Sequence, residues 1–494
     1  MVTLNTQTDL ATGRPAATAP ADGRRVDVLI LGGGITGLSL AAWLRAREID
    51  CHVIDKAELP GGVIRGLRKD GFLFELGPNT LLDKGPALAE LIDWAGVTDQ
   101  MIKLPMREQK RHVWLRGRLH EVPTGPLSFL TSPLLPLGAK LAILREPFIA
   151  ARDEEESVAD FVERRLGRAW LRNLITPVVS GLWAGDPARL SSAHAFPVMK
   201  QMERDAGSLI RGSLRHMRKA RRQRRQAAAT GTPRRQGKNL VSFREGLATL
   251  PEALARRLGD RYHNRTLVER IEPSEASGGY QVETRQGDAR EVWTARHVAV
   301  TTDAPAAARL LGDFDSEAAA VLRGFPTNKL VTVSLGLNAG EARLPEGFGY
   351  LVPRDEGVRM LGAIIPSNFL PGRAPEGCAA LSIFIGGDLD PAAADLGDDE
   401  IVGLVRRDLR KVLGWDGEAR ALHVEHWPQA IPQYDMRHGE RQRQLEAAER
   451  RHRGLHLIGN WRGGVSIPDR VQWTQQLSER IAQSLIETQT EAGR

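Results

Sequence analysis

Gly32, Gly34 and Gly37 fall at the spacing of a phosphate-binding turn, directly after the apolar run Val26-Asp27-Val28-Leu29-Ile30-Leu31. They meet three steric demands: a tight turn, close approach of backbone to a pyrophosphate, and close packing of the next helix on the strand. The helix that opens at Ile35 and Thr36 aims its positive amino end at the phosphates. Asp55, with Lys56 beside it, closes the following strand Cys51-His52-Val53-Ile54 and is placed to bind ribose hydroxyls; the alternative is a solvated strand-end carboxylate. An acid at that point disfavours a 2′-phosphate, which argues against NADP as the ligand.

The elements that must hold these residues are legible around them. Leu38, Leu40, Ala41, Ala42 and Leu44 continue as a helix between the two strands. A second glycine pair, Gly61-Gly62, lets backbone pass close to a ligand, and Gly71 to Thr80 reads as a strand carrying Phe72 and Phe74 that runs into a turn at Gly77-Pro78. A plain NAD domain does not require this second cluster; it is typical of flavoproteins that enclose FAD between discontinuous segments. Strand patterns return at 266–271, 279–283 and 296–301, and Leu455 to Asn460 repeats the strand-to-glycine-turn logic before Gly463-Gly464-Val465 and an amphipathic helix. Strands at 329–335 and 379–385 read as a second, sheet-based domain, giving two lobes with a site between them.

Composition narrows the class. At 494 residues, two or three domains are expected. A formal charge of +7 is modest for this length, and with aromatics at 5% it does not make a nucleic-acid surface. Cys51 and Cys378 have no histidines at ligand spacing, so no metal site is expected and a reducing compartment fits. Residues 1–25, rich in Ala, Thr and Pro, read as a disordered leader, and no apolar run is long enough to span a membrane. The proline-broken apolar segment from Pro126 to Ile149 is either an ordinary helical core or a cover that dips into one leaflet. Between Ala206 and Arg244 acidic residues are absent while cations accumulate from Arg211 to Lys238, including Arg234 and Arg235; this is either a solvated linker or a contact for anionic lipid headgroups.

The chain resembles the protoporphyrinogen oxidase family of amine-oxidase-like flavoproteins over nearly all of residues 26–486. The resemblance rests on the glycine fingerprint and on Glu75-Leu76-Gly77-Pro78-Asn79-Thr80, Gly181-Leu182-Trp183-Ala184-Gly185-Asp186, Gly347 to Pro353, and Ile431-Pro432-Gln433-Tyr434 with His438. It implies a mixed α/β (α+β) fold: a leader at 1–25, a Rossmann-like FAD-binding domain from 26–98, 236–303 and 426–494, a substrate-binding domain from 99–119 and 304–425, and a helical, membrane-associating insertion at 120–235. It implies a cofactor, FAD, met by Gly32, Gly34, Ile35, Thr36, Gly37, Asp55, Lys56, Gly61, Gly62, Gly77, Pro78, Asn79, Thr80, Val268, Trp427, Gly459, Gly464, Val465, Ser466 and Ile467. On the substrate side it implies Arg111 for a tetrapyrrole propionate, the Gly181 carbonyl for pyrrole N–H groups, and Phe348, Leu351, Ile364 and Phe384 as apolar walls.

The activity implied is oxygen-dependent oxidation of protoporphyrinogen IX with hydride transfer to FAD. The alternatives are coproporphyrinogen oxidation, a flavin amine oxidase or dehydrogenase acting on a specialised metabolite, and a non-catalytic FAD-bound tetrapyrrole carrier. No side chain stands out as a catalytic base or nucleophile. The expected partners are the tetrapyrrole, molecular oxygen, an anionic membrane surface on the inner face of the cell membrane in an otherwise cytoplasmic protein, and a second copy of the chain in a homodimer. Departures from the family are Leu59 for an arginine, Glu245 and Arg437 for glycines, and Arg462, Pro468, Arg470 and Trp473 near the flavin.

Overall fold

The computed structural model describes residues 23–229, 239–274 and 278–492. The expected leader therefore lies outside the described residues up to position 22, and the first strand, β1 (Arg24–Leu31), starts inside its last two positions. Likewise the cations Arg234, Arg235 and Lys238 lie outside the described residues.

β1 is the centre of the first sheet. It pairs in parallel with β2 (Cys51–Ile54) and β13 (Ala289–Val300), β2 pairs with β10 (Tyr262–His263), and β19 (Leu455–Leu457) joins β13 in parallel. The antiparallel β12 (Gly279–Gln286) and β11 (Leu267–Ser274) extend β13 on its other flank. Residues from both termini and from the middle of the chain thus complete one nucleotide-type sheet. Both of its faces are covered, which is why β1 reads as a nearly continuous apolar run and not as an alternating one. On one face the helices Ile35–Arg45, Pro86–Ala95, Thr249–Leu258 and Ile467–Ala492 share a single apolar cluster.

On the opposite face lie the helices Ala304–Leu311 and Ser316–Arg323. This moves the expected domain boundary. Residues 304–325 complete the nucleotide-binding lobe, because Ala304, Ala307, Ala308, Leu311, Ala318 and Leu322 bury against its sheet. The boundary at 99 shifts as well: β6 (Met101–Pro105) pairs with β9 (Asn239–Phe243), which also pairs with β5 (Leu81–Leu82). Leu81, Val241 and Phe243 of these strands pack into the apolar cluster of the cofactor lobe.

The second lobe is a seven-stranded sheet in the order β18 (Ala421–Trp427), β14 (Leu330–Asn338), β17 (Cys378–Gly386), β16 (Met360–Ile364), β15 (Gly349–Leu351), β7 (Arg111–Leu115), β8 (Arg118–Glu121). The helix Asp398–Leu413 covers one face with Ile401, Leu404, Val405 and Leu409 and ends at Gly414 in the left-handed conformation. A hairpin of β3 (Gly66–Lys69) and β4 (Phe72–Glu75) joins the lobes. Glu75 there is buried with Arg373 of the second lobe; its Oε1 accepts the Leu247 N–H at 2.9 Å, and burial pushes its carboxyl up to about 7.

The insertion is helical, and its core holds ions. Arg165 is fully buried, bonding Glu146 Oε1 at 3.0 Å and Glu203 Oε1 at 2.5 Å; Lys200 reaches Glu203 at 2.9 Å and Glu156 at 3.0 Å; Arg164 reaches Glu203 at 2.8 Å. Glu146 also accepts the backbone N–H of Leu209 at 2.8 Å and of Ile210 at 3.2 Å, which caps the basic helix Leu209–Ala229. Among the described residues no helix is long and apolar enough to cross a membrane, and no group of His, Cys, Asp and Glu is placed to hold a metal.

Candidate functional site: two helix amino ends facing an apolar wall

At the carboxyl end of β1 the backbone turns at Gly32, with φ at +118°, a conformation that only glycine adopts without strain. A Cβ on Gly37 would stand 2.0 Å from the Gly32 carbonyl oxygen, so the helix can approach the strand this closely only without one. At Gly34, in contrast, a Cβ would meet nothing within 4 Å, and this open side lies over the helix amino end. The two glycine clusters form one wall: Gly34 bridges Gly61, and the Gly61 N–H donates to the Gly33 carbonyl at 2.9 Å. Farther along, a Cβ on Gly77 would lie 2.1 Å from the Val63 carbonyl oxygen, and buried Asn79 accepts a hydrogen bond from Ser382 at 2.9 Å. Pro78 and Thr80 flank it, both half-buried.

Asp55 is not a loose surface carboxylate. Its Oδ2 accepts the Gly33 N–H at 2.6 Å and its Oδ1 accepts the Ala57 N–H at 2.8 Å. Burial raises its pKa while those two N–H groups pull the other way. Sequence reasoning missed two neighbours. A Cβ on Gly33 would lie 2.6 Å from the Asp55 carboxylate, and the Tyr262 hydroxyl beside it is buried without a hydrogen-bond partner among the described residues. Nothing in the local pattern around Tyr262 signals this place; it arrives through the β10–β2 pairing. Val268 sits in β11, buried, at a register shift.

The second helix amino end is that of Ile467–Ala492. Ser39 meets Thr474 at 2.9 Å and Arg47, just past the first helix, meets Glu479 at 3.2 Å, in the same order along both segments, so this helix runs parallel to Ile35–Arg45 and both amino ends point the same way. Gly459 lies two residues past β19, and Gly463 and Gly464, at φ +80° and +103°, turn the chain through Val465 and Ser466 into the helix. Lys84, another residue the sequence reading missed, bonds Ser466 Oγ at 2.9 Å and Asp469 at 2.6 Å. Two of the altered positions part company here. Arg462 points inward, to the Leu457 carbonyl at 2.8 Å and Glu449 at 2.9 Å, and the Trp473 ring fills the space that a side chain on Gly463 would need.

The second lobe presents its wall through strand register. β15 pairs with β7, placing Gly349 opposite Arg111; β15 pairs with β16, placing Gly349 opposite Ile364; and β16 pairs with β17, placing Gly362 opposite Phe384. Phe348, Leu351, Ile364 and Phe384 are each half-exposed in a sheet whose other interior positions are almost all buried, which marks one face as lining a cleft. Gly181 reaches the same wall from the helix Thr176–Trp183: a Cβ there would lie 2.5 Å from Leu351. It does not terminate the helix, because the left-handed residue is Ala184, at φ +47°. Trp427, at the end of β18, packs beside Phe384 and under the Arg65 guanidinium, 4.9 Å from its ring centre.

Arg111 stands at the rim. Its guanidinium lies 5.4 Å from the centre of the Phe348 ring, donates to the Gln109 carbonyl at 3.2 Å, and pairs with no carboxylate among the described residues. Burial lowers its pKa with no acid to offset it.

Two helix amino ends, a strand-end acid and a second lobe closing over them define a dinucleotide-binding oxidoreductase of the flavoprotein kind. The residues present fit an elongated dinucleotide: the space over Gly34 is open, and buried atoms of Tyr262 and Arg470 lack partners among the described residues. The chain belongs to the flavin containing amine oxidoreductase family, which it matches over residues 35–470. It is a flavoenzyme whose cofactor is FAD. It is 33% identical over 501 residues to a chloroplastic protoporphyrinogen oxidase of Oryza sativa subsp. japonica, covering 95% of this chain and 91% of that one. It is 31% identical over 485 residues to the chloroplastic protoporphyrinogen oxidase of Nicotiana tabacum (95% and 86%). To the coproporphyrinogen III oxidase of Bacillus subtilis (strain 168) it is 28% identical over 466 residues (91% and 96%). Among solved structures, cyclohexylamine oxidase from Brevibacterium oxydans IH-35A shares the fold at TM-score 0.63 and 19% identity, covering 93% of this chain and 99% of that one.

Proposed function

We propose that this enzyme oxidises a porphyrinogen, with protoporphyrinogen IX as substrate, molecular oxygen as final electron acceptor and peroxide as the by-product. The observation that carries this reading is Arg111: a half-buried guanidinium without a counter-ion among the described residues, at the rim of a wall of half-exposed apolar side chains. A macrocycle with peripheral carboxylates needs such a wall and such a cation, and a bidentate guanidinium suits a carboxylate in a partly dry cleft. Gly181 lies in the last turn of its helix, where carbonyls run out of intrahelical donors, so its carbonyl is free to accept pyrrole N–H groups. Bound FAD supplies the hydride acceptor. The chain's residues orient the ring and exclude water around the reacting carbon. Gly32 to Gly37 hold the pyrophosphate, Asp55 and Lys56 the ribose side, Val268 the adenine side, and Gly464 to Ile467 the flavin.

The test is anaerobic addition of protoporphyrinogen IX to the flavin-loaded enzyme, with coproporphyrinogen III in parallel. Flavin bleaching, followed in air by porphyrin fluorescence and peroxide in step, is the expected result; a flavin that stays oxidised with protoporphyrinogen removes the assignment, and bleaching by coproporphyrinogen alone transfers it. Turnover separates an enzyme from a carrier. Arg111→Ala should raise KM roughly 10- to 100-fold, the worth of one charged hydrogen bond, about 1.5–3 kcal/mol, with kcat nearly unchanged. An unchanged KM would count against the propionate contact.

The insertion fits an anionic membrane surface, which would place the enzyme peripherally on the inner face of the cell membrane. Leu127, Leu130, Leu137, Leu141, Leu144 and Phe148 are exposed, Phe148 by 85%. The neighbouring helix Leu209–Ala229 exposes Arg211, Arg215, Arg218, Lys219, Arg221, Arg222 and Arg225. Each cation near such a surface contributes about 1 kcal/mol. The protein should pellet with phosphatidylserine-containing vesicles at low salt and be released at high salt; equal recovery with neutral vesicles would exclude the contact.

A further inference from the structure

Arg470, one of the departures from the family pattern, lies in the first turn of the helix Ile467–Ala492, just past a glycine turn. The structure buries it: its exposure is 6%, and its Nε has no hydrogen-bond partner among the described residues. Nη1 donates to the Val465 carbonyl at 3.0 Å, inside the Gly463 to Ser466 turn. The nearest acid in sequence, Asp469, is occupied by Lys84 at 2.6 Å and by the Ser466 hydroxyl at 2.5 Å, and it forms no ion pair with Arg470. The other neighbour, Tyr434, donates its hydroxyl to the Asn460 carbonyl at 2.8 Å and stacks on His438, so it gives Arg470 no negative charge. Burial lowers the Arg470 pKa to about 10, still well above neutrality. A full positive charge is therefore held without an ion pair among the described residues, offset only at a distance by Asp469, behind the turn that presents backbone N–H groups at the helix amino end.

We infer that Arg470 is a positioning and electrostatic residue for the flavin: by clasping the Val465 carbonyl it fixes the Val465–Ser466 peptide, and by its charge it favours the reduced cofactor. The physical basis is differential binding. Oxidised flavin is neutral at its ring, whereas uptake of two electrons and one proton leaves one net negative charge there. A buried cation near that ring, in a site of low dielectric, stabilises the reduced state more than the oxidised one and raises the two-electron potential. The helix amino end acts in the same direction, and Arg470 adds a whole charge to its partial one.

Three variants separate the two roles. Arg470→Gln keeps a donor for the Val465 carbonyl and removes the charge, Arg470→Lys keeps the charge on a different donor geometry, and Arg470→Met removes both. The readouts are the midpoint potential of the bound flavin, the affinity of the apoprotein for FAD, and the affinity of the flavin-loaded protein for sulfite, which adds to electron-poor flavin. In Arg470→Gln the reduced-over-oxidised preference should fall about tenfold, near 30 mV for a two-electron couple, and sulfite should bind correspondingly more weakly. Arg470→Lys should recover most of the potential, and Arg470→Met should lose both potential and FAD affinity. A wild-type potential in Arg470→Gln overturns the electrostatic role. Loss of FAD affinity in Gln and Lys alike, at unchanged potential, reduces Arg470 to a structural part of the turn. If Arg470→Met fails to fold, the Gln and Lys pair still decides.

Discussion

Gly37→Ala should yield a protein without flavin: FAD affinity should fall on the order of 100-fold, about 3 kcal/mol, and the apoprotein should melt lower than the parent. The added methyl group would lie 2.0 Å from the Gly32 carbonyl oxygen, 2.8 Å from Thr301 Oγ1 and 3.1 Å from Ile30. Gly32 and Ile30 belong to the turn and to the central strand, so the helix must move off the sheet and take its amino end with it. The comparison that isolates the cofactor is Gly34→Ala. There the methyl group meets nothing within 4 Å, so the apoprotein should keep the parent's melting temperature and still lose FAD, because the space it fills is where phosphate approaches. Flavin absorbance of the purified proteins and thermal melts of the apoproteins check both. Full flavin content in Gly34→Ala would move the pyrophosphate away from that turn.

The buried ions of the insertion carry the other large effect. Arg165→Met should destabilise by about 3–5 kcal/mol, because it leaves Glu146 and Glu203 buried with less than their balancing charge. Burial works to raise the Glu203 carboxyl, but Lys200, Arg164 and Arg165 prevail and hold it down at about 2. A carboxyl whose folded pKa lies below its unfolded one contributes stability above the ordinary carboxylate range and loses it as pH falls towards about 2. The parent should therefore melt progressively lower from pH 5 downward, and Arg165→Met should show a shallower dependence. Since Glu146 also caps the helix Leu209–Ala229, the variant should lose vesicle binding along with stability. A melt unchanged within 1 °C would show the network to be solvated.

Much of the cofactor lobe could be read directly from the chain. Strand, glycine turn, helix and acid are contiguous between Val26 and Asp55, and their meaning depends on spacing within one βαβ unit. Helices 304–323 were misplaced because nothing in an amphipathic alanine-rich helix says which sheet it covers. Tyr262 and Lys84 carry no local signal, since each reaches the site by pairing with a segment far away in sequence. Arg462 and Trp473 were legible only as departures from the family near the flavin, and the structure turns one toward Glu449 and lays the other against Gly463.

The residue types and their periodicity set the phosphate-binding turn, the strands and the helices, because those depend on backbone sterics and on apolar patterning over a few residues. The partners of the charged groups depend on distances between segments hundreds of positions apart, and only folding supplies those. So the chain alone contained Arg111, Arg165 and Arg470 as three similar arginines. Packing made the first a half-buried cation beside the Phe348 ring, the second the centre of a balanced ion network, and the third a buried charge behind the Gly463 to Ser466 turn.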